Sequence, residues 1–217
     1  MKNRRRWPPA LLAAGLLAAG LTIGTAAPAE ASCAPRMFVV GGFTHGGEHE
    51  MATSAPAGYE VVVINYPNNW WDVNFQYNVD VGQGALNWAV NDFYDHCGNP
   101  PSIIAGYSLG ALVAGNVLQT QPAHRNIQGV LFADARRLPA YPGDPGGLEA
   151  VLPWAVPGDG LRGFQHPTLT LCNAPDPICF GSYDAGAYFT THPIYNGWNV
   201  AFELGLHGWG NDKNIVY

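Results

Sequence analysis

The chain has 217 residues, with 16 Asp and Glu against 10 Lys and Arg, and a formal net charge of -6. Beyond Lys2, Arg4, Arg5 and Arg6 only six cations remain, scattered and without a basic stripe, so neither nucleic acid nor an anionic membrane surface is a natural partner. A hydrophobic share of 47% fits a folded domain, and 27 Gly with 18 Pro make it a loop-rich one.

Lys2, Arg4, Arg5 and Arg6 precede an apolar run over residues 11–24 and a small-residue run over 25–31, the three-part layout of a secretory leader. The apolar run falls short of the roughly 20 residues a spanning helix needs, so no membrane span is expected. Ala29-Glu30-Ala31 supplies the small residues of a cleavage site. Residues 1–31 are thus read as a signal peptide and 32–217 as a single domain of a secreted, extracellular protein. Cleavage would remove a net +3 and take the formal charge from -6 to about -9.

Residues 37–41, 60–65, 103–107 and 130–133 are short, continuous apolar runs, and 168–171 forms a fifth after Pro167. Continuous rather than alternating apolar character predicts strands of a parallel sheet covered on both faces. Between them, 79–93 and 109–119 carry helical spacing. Strands alternating with helices predict an α/β fold, a three-layer sandwich around a mainly parallel sheet. The Pro- and Gly-rich stretch 141–163 reads as a surface excursion bordering the active site. Seven tryptophans, among them Trp70, Trp71, Trp154, Trp198 and Trp209, are expected mostly in the core.

The four cysteines, Cys33, Cys97, Cys172 and Cys179, all follow the cleavage site, and an even count in an exported protein implies two disulfides. Proximity in the chain favours Cys172 with Cys179, which leaves Cys33 for Cys97. No Cys-x-x-Cys spacing points to zinc. His45, Glu48, His49 and Glu50 hold metal-ligating groups, but Gly46 and Gly47 between the histidines argue against a helical pair, and no metal is expected.

Gly106-Tyr107-Ser108-Leu109-Gly110 is a G-x-S-x-G sequence that follows a predicted strand and opens a predicted helix. Glycines there permit a tight turn that exposes a serine hydroxyl, and the helix N-terminus aims backbone N–H groups at a developing oxyanion. Ser108 is therefore the candidate nucleophile; the competing role is a plain helix N-cap. In α/β-hydrolases, whose nucleophile turn this segment resembles, the acid and the histidine both follow the serine. The histidines that do are His124, His166, His192 and His207. Asp176 lies between Cys172 and Cys179 with Pro175 and Pro177 beside it, a loop stiff enough to hold a carboxylate in one orientation. His192 follows in Thr191-His192-Pro193-Ile194-Tyr195 and is the candidate base. His207 is the reserve base and Asp134 the reserve acid, the latter followed by Arg136 and Arg137, whose pairing would make it structural.

These residues carry a resemblance. The chain resembles cutinase-like serine esterases, including the related PE-PPE hydrolase domains, through Gly106-Tyr107-Ser108-Leu109-Gly110-Ala111, through Cys172-Asn173-Ala174-Pro175-Asp176-Pro177-Ile178-Cys179, and through His192 followed by Tyr195. Asp134-Ala135-Arg136-Arg137 with Gly146-Gly147 is more similar to the PE-PPE branch. The resemblance implies an α/β-hydrolase fold, the same two disulfides, and Ser108, Asp176 and His192 as a catalytic triad. Cutinases usually carry Gln after the nucleophile, where this chain has Leu109. Leu109 is expected to give one oxyanion N–H and either Phe43 or Thr44, after the first strand, the other.

The expected chemistry is ester hydrolysis through an acyl-enzyme, with no cofactor, by a chain expected to act as a monomer. Polyesters, short acyl esters, acetylated polysaccharide and long-chain cell-envelope esters all remain open as substrates. An acyltransferase using the same triad, or a binding domain that keeps the fold without catalysis, are the rival classes.

Overall fold

A computed structural model describes residues 33–69, 71, 73–158, 163–181, 184–195 and 198–217. The leader assigned to 1–31, Trp70 and residues 159–162 of the excursion lie outside them.

Successive side chains of a strand point to opposite faces, and in the first strand both faces are apolar. In β1 (Arg36–Val40), Phe38 and Val40 join one buried cluster while Met37 and Val39 join the other. The same double burial marks β3 (Ser102–Tyr107) and β4 (Ile127–Phe132), as a sheet with helices on both sides requires. With β2 (Glu60–Val63), β5 (Thr168–Cys172) and β6 (Lys213–Val216), these form a sheet in the order β2-β1-β3-β4-β5-β6, parallel at every pairing.

Parallel strands need crossovers, and helices supply them. One face is covered by α2 (Phe75–Cys97) and α3 (Leu109–Thr120), which bring Val79, Leu86, Val90, Phe93, Leu112, Val113 and Val117 onto Phe38, Ile104 and Leu131. The other is covered by α1 (Glu48–Thr53) and α6 (Val200–His207), through Met51, Val200 and Leu204. Shorter helices α4 (Leu148–Val151) and α5 (Ala185–Thr190) lie in the late connections. The Cys33–Cys97 disulfide ties the segment before β1 to the end of α2 with Cα atoms 5.4 Å apart, and Cys172–Cys179 closes the loop after β5 at 5.6 Å. Both pairings are those expected. Among the described residues, no helix is long and apolar enough to cross a membrane.

The excursion contains α4 and a 3-10 turn at Pro153–Ala155. One expectation is corrected: the described tryptophans are mostly exposed rather than core, since Trp71, Trp88, Trp154 and Trp209 all face solvent. Indole is large enough that full burial is uncommon, and Trp209 covers its face by stacking on Tyr59.

Because every strand runs the same way, their carboxyl ends share one edge of the sheet. The segments that leave β1, β3, β4 and β5 must therefore meet there, which is where an open α/β sheet places its chemistry.

Candidate active site

The turn from β3 to α3 is dictated by glycine. A Cβ on Gly110 would lie 2.2 Å from the Val40 carbonyl oxygen, and one on Gly106 would lie 2.5 Å from that of Gly110. Any larger residue would push the helix off the sheet. Between them Ser108 adopts φ 54 and ψ -118, a left-handed conformation rare for a side-chain-bearing residue, and its N–H donates to the Phe132 carbonyl at 2.9 Å. It occupies the N-cap position of α3 yet makes no side-chain cap hydrogen bond. The hydroxyl is turned instead to His192, whose Nε2 is 2.9 Å from Ser108 Oγ.

The acid arrives from β5. Asp176 is fully buried, and its Oδ2 lies 2.8 Å from His192 Nδ1 while its Oδ1 accepts the Ile178 N–H at 2.8 Å. With Nδ1 facing a carboxylate, that nitrogen carries the proton and Nε2 is left to accept from serine. Tyr195 O–H donates to the same Oδ2, so the carboxylate is held by three donors. The short 172–179 loop is fixed by its disulfide and by the Phe180 N–H bond to the Asp176 carbonyl at 2.9 Å.

Aromatic rings hold the imidazole on both faces. Tyr107 stacks on His192 at 5.0 Å between centroids and Tyr188 at 4.8 Å, with interplanar angles of 28° and 20°. Tyr107 O–H also donates to the His192 carbonyl at 2.9 Å. Burial, and after it the nearby Asp176 charge, pushes the Tyr107 and Tyr195 phenols above their ordinary range, so both stay protonated as donors. Sequence reasoning did not find Tyr107 or Tyr188. Tyr188 lies on α5 one helical turn before His192, and Asp184, which accepts from the Gly186 and Ala187 N–H groups, was the available start signal for that helix.

Leu109 is the first residue of α3, where the N–H has no acceptor within its own helix. Phe43 and Thr44, in the turn after β1, line a cavity together with Ser108. The Thr44 N–H is engaged by the Asn68 carbonyl. His45 Nδ1 is 3.1 Å from Glu48 Oε2.

Among the described residues, Ser108 lines two cavities. One, about 300 Å³, is lined by apolar side chains including Phe43, Phe75, Leu112, Leu148, Val156 and Ile178. The other, about 290 Å³, lies on the histidine side, between Phe43, Thr44, Tyr188, Phe189, His192 and Pro193.

The remaining candidates lie elsewhere. His124 is exposed, and His166 is buried with Nε2 3.2 Å from the Gln121 carbonyl. His207 Nε2 is 2.8 Å from Tyr217 Oη and 3.4 Å from Glu203 Oε2. Asp134 is buried after β4, where its Oδ1 accepts the Arg136 N–H. The arginines beside it pair with other acids, Arg137 with Asp144 at 2.6 Å and Arg136 with Glu149 at 3.4 Å.

A family model described as cutinase matches residues 40–202 of this chain. In structure the chain is similar to a cutinase-like protein from Cryptococcus sp., at 16% identity and a TM-score of 0.59 over 82% of this chain and 96% of that one. It is likewise similar to the catalytic core of acetyl xylan esterase from Trichoderma reesei, at 17% identity and a TM-score of 0.56 over 80% of this chain and 94% of that one. No curated protein matches the chain significantly. At these identities the structural likeness is one of fold.

Proposed function

The chain belongs to the cutinase family, and from that premise we propose that it is a secreted serine esterase that cleaves carboxylic esters through Ser108, His192 and Asp176. The observation that carries this is the continuous relay from Ser108 Oγ to His192 Nε2 at 2.9 Å, and from His192 Nδ1 to Asp176 Oδ2 at 2.8 Å. The strained backbone at Ser108 and its unused capping role support it. Secretion is supported by the two disulfides, which persist in oxidising compartments.

In the first half-reaction Ser108 Oγ attacks the ester carbonyl while its proton passes to His192 Nε2, giving a tetrahedral oxyanion. Asp176 stabilises the imidazolium without taking the proton. The oxyanion is held by the N–H of Leu109 and by that of Phe43 or Thr44, from the turn after β1. Each such donor is typically worth about 10²–10³ in kcat. Collapse breaks the bond to the leaving alcohol, which takes the proton from His192. Water then repeats the sequence on the acyl-enzyme, its proton going to His192 and then back to Ser108 as the carboxylic acid leaves.

The test is a panel of p-nitrophenyl esters with wild type, Ser108→Ala and His192→Ala. Each variant should lose at least about 10⁴ in kcat. An organophosphorus ester should label Ser108 in wild type with loss of all turnover. Esterase activity that survives in Ser108→Ala, or a probe adduct on any other residue, would overturn the assignment.

A further inference from the structure

We propose that buried Arg136, which touches neither Ser108 nor the substrate, is the positioning residue that fixes the length of acyl chain this enzyme accepts. The inference rests on the esterase reading above. The apolar cavity beside Ser108 is closed on one side by Leu148, Ala155, Val156 and Pro157, all from the excursion between β4 and β5. That wall has little regular structure to hold it, only one turn of helix and one 3-10 turn. The Arg136 guanidinium takes over that task from behind. Nη1 donates to Asn116 Oδ1 on α3 at 2.9 Å, Nη2 donates to the Pro157 carbonyl, and Nε is 3.4 Å from Glu149 Oε1 on α4.

One planar group thus ties both ends of the wall to α3, the same helix whose Leu112 also lines the cavity. Both charges are almost fully buried, at 3% and 5% exposed, so the fork geometry and the pairing must be maintained together. Backbone geometry agrees with the placement: Gly158 has φ +102, and a Cβ there would fall 1.8 Å from Arg136 Nη2. That φ favours glycine, and the chain there runs directly against the guanidinium.

An acetyl group reaches no further than the serine end of the cavity, whereas a longer acyl chain must lie along the wall. Hexanoyl exceeds acetyl by four methylenes, and each one removed from water is worth about fourfold in kcat/KM. Arg136 therefore governs the ratio of the two substrates rather than the chemical step. A lysine ammonium cannot serve Asn116, Pro157 and Glu149 at once, so Arg136→Lys keeps the charge and releases the wall.

The experiment measures kcat/KM for p-nitrophenyl acetate and p-nitrophenyl hexanoate in wild type, Arg136→Lys and Asn116→Ala. Wild type should favour hexanoate by at least about tenfold. Arg136→Lys should cut that ratio at least about fivefold, mainly through KM, with acetate turnover within about threefold of wild type. Asn116→Ala, which removes one anchor and leaves no unpaired buried charge, should cut it about twofold. Parallel losses on both esters, or an unchanged ratio in Arg136→Lys, would overturn the proposal. Should Arg136→Lys not accumulate as folded protein, an unchanged ratio in Asn116→Ala overturns it alone. A wild type that cleaves neither ester would instead strike at the esterase reading itself.

Discussion

Two histidines in this molecule sit beside a carboxylate and a tyrosine hydroxyl, and they are wired differently. At His192 the ring nitrogens have separate partners, Nδ1 with Asp176 and Nε2 with Ser108, so a proton taken at one end of the ring is compensated at the other. At His207 a single nitrogen, Nε2, faces both Tyr217 and Glu203. The first cluster opens on two cavities, and its hydroxyl is a serine in a strained turn. The second joins α6 to the last residue of the chain, through a phenol that donates to Glu203 at 2.6 Å. An imidazole beside an acid is thus a poor sign of catalysis by itself. Division of the two nitrogens between an acid and a nucleophile is a much better one.

Exchanging the two imidazoles for alanine is the most forceful way to break this contrast. His192→Ala should lower kcat by about 10⁴ or more, while His207→Ala should leave kcat/KM within about twofold. Equal losses from the two would mean that the wiring argument is wrong. Asp176→Asn should cost about 10³–10⁴ in kcat with KM little changed, because the amide leaves the geometry and spoils the tautomer. A loss under tenfold would show that the imidazole needs no carboxylate here.

Tyr195→Phe should act more mildly. The Tyr195 hydroxyl donates to Asp176 Oδ2, the oxygen that also accepts from His192, so its removal loosens the acid without deleting the relay. A hydrogen bond to a charged group is worth about 1.5–3 kcal/mol, which bounds the loss in kcat between roughly tenfold and a hundredfold. Full activity in this variant would show that the disulfide-closed loop orients Asp176 unaided.

The legible parts of this chain are those where covalent chemistry or chain order narrows the choice. G-x-S-x-G places Ser108 at a strand-to-helix turn because only glycine fits at 106 and 110, a demand written in the sequence itself. The strands at 37–41 and 103–107 were equally plain, since double-sided burial fills them with apolar residues and glycine, whereas 168–171 alternates Thr with Leu and is buried on both faces all the same. The edge strand β6, Lys-Asn-Ile-Val, carries two polar residues and has one neighbour, so it offered no such run. Tyr107 and Tyr188 were invisible for another reason. Their rings face His192 only because β3 and α5 end side by side, which is a property of topology and not of local sequence. The bond from the Thr44 N–H to the Asn68 carbonyl was likewise hidden, because nothing in the loop itself announces that partner.

The finest contrast between the clusters lies in their tyrosines at alkaline pH. Tyr195 and Tyr217 both donate to a carboxylate, and both phenols are raised above the ordinary value, by burial first and then by the acid beside them. A raised phenol keeps its proton longer in the folded chain than in the unfolded one. Its contribution to stability is therefore complete below the ordinary tyrosine pKa of about 10 and is lost as pH climbs towards the higher folded value. Tyr217 is about half exposed, so solvent screens its bond to Glu203 and the effect should be small. Tyr217→Phe should make the fall in Tm above pH 10 shallower by about 2 °C, while esterase activity at pH 8 stays within about twofold of wild type. Superimposable melting curves would show that the Glu203 bond carries no proton linkage. A large loss of activity would show that the second cluster supports the first after all, through the Tyr217 backbone, which bonds to Cys172 and Ala174 at the base of the acid loop.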